Sequence, residues 1–273
     1  MSNIKYLYIA LCSVFLGTSC SKEDTDPLVN SIWDEIKTEY ISNQTVCSGL
    51  APDRIVYPVP YTAEVEKRFE IPDETVTAMS TCGLLDSYLN FPPRVLGPWC
   101  HWCSFYPQPL AEIYWFADKR DKVVVELISR EDCIRIISER YANMVHTRNM
   151  YYYGNDDPHF HGWKGVLQCF EMLIASNIFL EKLNEREMKN FMVMALKVLE
   201  IRNKNTDELG APFETRHIMA NIMLASKFEP FLEEFGVVEI PGDTYFGYTI
   251  CSMVDDSGIG IVEKYARQYL KNF

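Results

Sequence analysis

The chain has 273 residues, of which 48% are hydrophobic and 23% charged, ordinary globular usage that excludes a disordered chain and supports a sizeable core. Its formal net charge is −12, and its 26 Lys and Arg residues form no cluster of the kind a phosphate backbone needs, so nucleic acid is excluded as a partner. A bilayer-spanning helix needs about 20 apolar residues, and the most apolar stretch past the amino terminus, 166–183, is broken by Gln168, Glu171, Asn177, Glu181 and Lys182.

The amino terminus is the part with an address written in it. Lys5 precedes an apolar run at 6–16 (YLYIALCSVFL), the length and flank of a signal-peptide core. The run stops at Leu16-Gly17-Thr18-Ser19-Cys20, and an acidic polar segment, Ser21-Lys22-Glu23-Asp24-Thr25-Asp26, follows. The motif resembles a bacterial lipobox, with Gly17 where the commonest form has an aliphatic residue, a looseness associated with Bacteroidota. The acidic residues after it resemble the tag that routes such lipoproteins to the outer face of the outer membrane. The resemblance implies diacylation at Cys20 and loss of residues 1–19, leaving 254 residues with a net charge of −13. Two acyl chains hold a protein stably where one does not. A cleaved secretory peptide with a coincidental cysteine is the competing reading.

Residues 20–31 read as a polar tether, and 32–273 as one helical domain with a sub-boundary in the proline and aromatic loop 92–110. Ile32, Ile36 and Tyr40, at steps of four, predict a short amphipathic helix over 32–41. The three prolines of 49–60 predict an extended segment crossing the first helices. Pro72-Asp73 starts a short helix, and Ser80 or Thr81 caps a second that ends before Pro92-Pro93. Ser129 with Asp132, and Asn184 with Glu187, have the spacing of capping boxes ahead of long apolar-faced helices. Helices are also expected over 163–183, over 213–227 after Pro212, over one turn at 231–235 beyond Pro230, and over 259–270. The glycines and β-prone residues of 237–253 predict loop with one or two minor strands. The expected fold is therefore mainly α, an irregular helical array of HEAT-like or α-α superhelical type. Residues 71–92 and 128–144 (IPDETVTAMSTCGLLDSYLNFP and ISREDCIRIISERYANM) resemble a group of helical proteins of unknown role from gut Bacteroidota and Firmicutes. That resemblance implies a fold and a habitat, and supplies no catalytic residue.

Nine cysteines become seven once Cys12 is cleaved away and Cys20 acylated. Cys82, Cys133 and Cys169 lie among apolar residues at helical spacing and read as buried thiols. Trp99-Cys100-His101-Trp102-Cys103 is similar to the redox turn of thioredoxins, which would make Cys100 the attacking thiolate and Cys103 the resolving one. The turn needs a strand before it and a helix after it, whereas five prolines frame it here. Cys100 and Cys103 with His159 and His161 would also make a closed zinc site, if the fold closes the 56 residues between Cys103 and His159. An aromatic loop with a disulfide or buried thiols explains the same residues without chemistry. Asp156-Asp157 and Asp255-Asp256 read as solvated turns, because sequence neighbours point apart. The aromatics Trp99, Trp102, Tyr106, 114–116, 151–153 and Trp163 line either a core or a binding groove. No cofactor is implied. The expectation is a surface lipoprotein of the outer membrane whose helical scaffold binds another protein or an extracellular ligand. An exported thiol-disulfide protein is the alternative.

Overall fold

Helix signals and apolar periodicity settle the architecture of residues 26–42, 49–56, 71–90, 122–147, 167, 170–204, 213–235 and 259–272, which the computed structural model describes. All secondary structure among them is helical. The minor strands expected in 237–253 and the loop expected at 92–110 lie outside the described residues.

The first helix, α1 (Pro27–Ile36), begins five residues earlier than the apolar spacing predicts. Pro27 occupies the first turn, where its missing N–H is no loss, and the Asp26 carboxylate accepts from the Leu28 N–H at 3.0 Å. Residues 27–31, expected in the tether, are thus helical, and Val29 is fully buried. A π-helical segment, Lys37–Ile41, continues the axis and keeps Tyr40 facing the core beneath Ile32 and Ile36.

Residues 49–56 cross the second pair of helices, α2 (Asp73–Ala78) and α3 (Thr81–Leu89), as a non-helical strap. The Ala51 N–H donates to Asp86 Oδ2 at 2.6 Å and the Ile55 N–H to Ser87 Oγ at 2.8 Å. Asp53 accepts from Ser80 N–H and Oγ–H, while Ser80 Oγ caps α3 by accepting from Gly83 N–H. The approach is so close that a Cβ at Gly83 would stand 2.6 Å from Asp53 Oδ1.

Two helices follow in immediate succession, α4 (Lys122–Ser129) and α5 (Cys133–Thr147). The β-prone Val123-Val124-Val125 run conceals α4 in the sequence, and the junction after it differs from the expected capping box. Ser129 Oγ donates back to the Glu126 carbonyl and Asp132 accepts from Thr81 Oγ1 at 2.6 Å, so the pair ties α5 to α3 and is not a capping box. Arg130 closes α2 from outside by donating to the Thr77 and Met79 carbonyls.

The helix expected over 163–183 is interrupted. Residues 170–174 are helical, Ala175-Ser176 break the run, and α6 (Asn177–Leu180) restarts it. Ser176 Oγ donates to the Leu173 carbonyl at 2.6 Å, offering the backbone a local alternative to the helix ladder. The box at Asn184 and Glu187 forms as expected, with reciprocal bonds of 2.8 and 3.0 Å, and opens α7 (Glu185–Lys204), the longest helix described. Beyond it lie α8 (Phe213–Ala225), α9 (Glu229–Glu234) and α10 (Ile259–Leu270). Pro230 sits in the first turn of α9 and opens it.

One core joins these elements. Tyr141, Phe170, Phe179 and Phe191 form its aromatic centre, with ring centroids 5.3 to 6.4 Å apart. The first helix packs against α7 and the last helix, so the array is closed end to end: Lys197 Nζ donates to Asn30 at 2.6 Å and Arg267 lies 3.6 Å from Asp26.

Candidate functional site

The chemistry-bearing residues singled out in the sequence, Cys20, Cys100, Cys103, His159 and His161, all lie outside the described residues, as do the aromatic runs and both aspartate pairs. The candidate site that the described residues do build is a polar seam through the core.

Its first part is the Asp86–Arg140 pair. Asp86 sits on the apolar face of α3 between Leu85 and Tyr88, fully buried, and Arg140 reaches it from α5 with one guanidinium nitrogen 3.4 Å from each carboxylate oxygen. The same nitrogen donates to the Gly49 carbonyl. A buried charge pair is tolerable only where further hydrogen bonds satisfy it, and here the strap supplies them through Ala51 N–H and Gly49 C=O. This arrangement holds a segment in place. Immediately before Arg140 on α5, burial pushes the Glu139 carboxyl above the ordinary carboxylate range against the opposing pull of Arg135, and its Oε2 has no hydrogen-bond partner among the described residues.

The second part centres on Glu171, fully buried, whose Oε1 accepts from Thr215 Oγ1 at 2.7 Å and from the Tyr141 hydroxyl at 3.3 Å. One helical turn along, Asn221 of α8 donates to the Ala175 carbonyl at 2.7 Å, covering a backbone group freed by the break in the helix. Glu171 thereby links three elements that apolar packing alone would let slide.

Two groups in or beside the seam have the elements of reactivity, and their surroundings remove it. Burial, helped by the neighbouring Arg216 charge, pushes the His217 imidazole down to about 3, so it neither carries charge nor exchanges a proton near neutral pH. Burial, with Asp132 beside it, pushes the Cys133 thiol up to about 12 despite Lys182, leaving it a small buried hydrophobe as expected. Among the described residues no three His, Cys, Asp or Glu side chains gather as metal ligands. Cys82 overturns its expectation as a buried thiol: it is disulfide-bonded. Cys133, the other described cysteine, is free, so the partner lies outside the described residues.

The seam was missed in the sequence, yet it left a trace there. Asp86 and Glu171 each interrupt an apolar run at a core position, Leu84-Leu85-Asp86 and Phe170-Glu171-Met172. Glu171 counts in the sequence only as a break in hydrophobicity and Asp86 as nothing at all, which hides the buried acceptors they are.

These features define a mainly helical protein with a polar seam through its core. No protein family, no characterised protein and no solved structure matches the chain.

Proposed function

We propose that the protein is an exported lipoprotein, diacylated at Cys20, whose helical body stands outside the cell as a scaffold for another protein or an extracellular ligand. The observation that carries this reading is the order of features in residues 1–26: a cation, an apolar run too short to span, a small residue, a cysteine and an acidic segment. The disulfide at Cys82 supports it, because such bonds persist in oxidising compartments and are rare in the cytosol. The resemblance of residues 16–26 to a Bacteroidota lipobox with its acidic tag supports an anchor in the outer membrane with the body facing outward. A seam in which Glu171 and Asp86 are consumed by structural bonds suits a rigid scaffold better than a reaction centre.

The test is the mass of the amino-terminal peptide from the native host. Processing at Cys20 adds a diacylglyceryl group, and Cys20→Ala leaves the leader attached and moves the protein out of the detergent phase. A wild-type peptide cleaved elsewhere and carrying no lipid overturns the reading.

A further inference from the structure

Cys82 is joined to a cysteine outside the described residues, and the strap that crosses its helix narrows the choice. On α3, Ser80, Gly83 and Ser87 share one strip, and that strip carries the strap: Ser80 binds Asp53, a Cβ at Gly83 would meet Asp53, and Ser87 binds Ile55. Asp86 stands on the next strip around the helix. Cys82 is on that second strip too, one turn earlier, where side chains four residues apart lie about 5–6 Å from one another. Followed backwards, the strap passes from the first strip to the second. Asp53 lies on Ser80, Ala51 lies on Asp86, and the Gly49 carbonyl accepts from Arg140, whose same nitrogen is 3.4 Å from each Asp86 oxygen.

Thr81 and Asp86, either side of Cys82 along the helix, both bond to α5, at Asp132 and at Arg140. Cys82 therefore borders the junction of α3 with α5. The described residues ahead of the strap are held at α5 as well: the π-helical segment ending at Ile41 packs on it, with Tyr40 beside Ser138. Cys47 is two residues from Gly49, a reach of about 7 Å, which matches the roughly 4.4–6.8 Å between the Cα atoms of a disulfide. No described residue brings another cysteine to this junction. Cys169 adjoins Phe170, which lies on Tyr141 in the Glu171 part of the seam, and Cys12 and Cys20 lead into α1, which packs on α7 and α10. Cys100, Cys103 and Cys251 stand 10, 13 and 8 residues from the nearest described residue.

We propose that Cys82 is cross-linked to Cys47, and that the bond is a latch fixing the strap over the buried Asp86–Arg140 pair. Closing it takes a proton from each thiol and two electrons from the pair, and a protein or small-molecule disulfide accepts both, becoming two thiols. Unlatched, the strap is held to α3 and α5 by hydrogen bonds through Gly49, Ala51, Asp53 and Ile55. Oxidation secures its amino end as well, and that security lasts only where disulfides persist. The pairing is independent of acylation at Cys20.

The purified chain, its free thiols blocked with N-ethylmaleimide in denaturant without reductant, is digested with trypsin. Cleavage after Lys37, Arg54, Arg68 and Arg94 places the two cysteines on separate peptides, 38–54 and 69–94, neither of which holds another cysteine. The expected result is one species with the summed mass of the two less the two thiol hydrogens, lost on reduction. Amide exchange on the native chain is the second readout. Reduction should release the Ala51 and Ile55 N–H groups and leave α7 protected, and Cys47→Ser should do the same without reductant while exposing Cys82 to the maleimide. Peptide 69–94 joined to any other peptide, or carrying maleimide in the wild-type chain, overturns the pairing. Strap amides that exchange no faster after reduction overturn the latch.

Discussion

Lys227 carries a positive φ of 51°, which among non-glycine residues is uncommon and strained. It occupies the left-handed position after α8, where the Phe228 N–H donates to the Met223 carbonyl and the Lys227 N–H to the Leu224 carbonyl, the paired bonds of a Schellman ending. The packing of Phe228 edge-on against Tyr269 at 5.4 Å sustains that geometry. Lys227→Gly should raise stability by about 1 kcal/mol in urea unfolding, since glycine adopts the conformation without a Cβ clash. A lower midpoint would show that the lysine stem contributes more than the strain removes. His217 makes a pH-dependent prediction. Its folded pKa, about 3, lies below the unfolded value, so between roughly 6.5 and 3 the unfolded chain binds a proton that the folded one refuses. Stability is then complete above about 6.5 and falls by about 1.4 kcal/mol per pH unit below it. His217→Gln should flatten the profile by that slope, whatever its effect at pH 7, and an unchanged slope would place the imidazole in contact with solvent.

At the scale of elements, the most legible feature was also the most local. Asn184 and Glu187 announce a helix start by type and spacing, and the reciprocal bonds between them complete it. Asn184→Ala should cost about 1 kcal/mol and show as faster amide exchange confined to the first turn of α7. Exchange unchanged there would mean that core contacts of Phe191 and Met192 hold the turn unaided. The same device misled at Ser129 and Asp132, because spacing does not say whether a helix ends or begins at the serine. In fact α4 ends on Ser129, and Asp132 binds Thr81 from another helix. Pro27 shows the opposite case: assigned to the tether, it opens α1, because a proline in the first turn forgoes a bond no helix makes there. The break at Ala175-Ser176 was hidden since apolar periodicity runs straight through it, and only the bond from Ser176 to Leu173 shows why the helix stops. Local sequence thus locates most helices and misplaces their ends, where tertiary partners choose among nearly equivalent caps.

For the whole molecule, the mainly α fold was readable from periodicity, whereas the seam that fixes one packing of it was not, since Asp86 and Arg140 are 54 residues apart and meet only in three dimensions. Their pair makes a prediction about cooperativity. Arg140→Met leaves Asp86 buried without its counter-charge and should cost about 3 to 5 kcal/mol, while Arg140→Met with Asp86→Leu should recover much of that loss. If the double variant is no better than the single one, the strap over α3 and not the charge pair is the dominant element. Asp26 and Arg267 join the first helix to α10, and Asn30 and Lys197 join it to α7. A ribosome makes the chain from its amino terminus, so α1 emerges long before α7, its main partner, and Asn30 waits 167 residues for Lys197. Contacts this distant in sequence are slow to close, so the first helix is the part of the core that stays undocked while most of the body is being made.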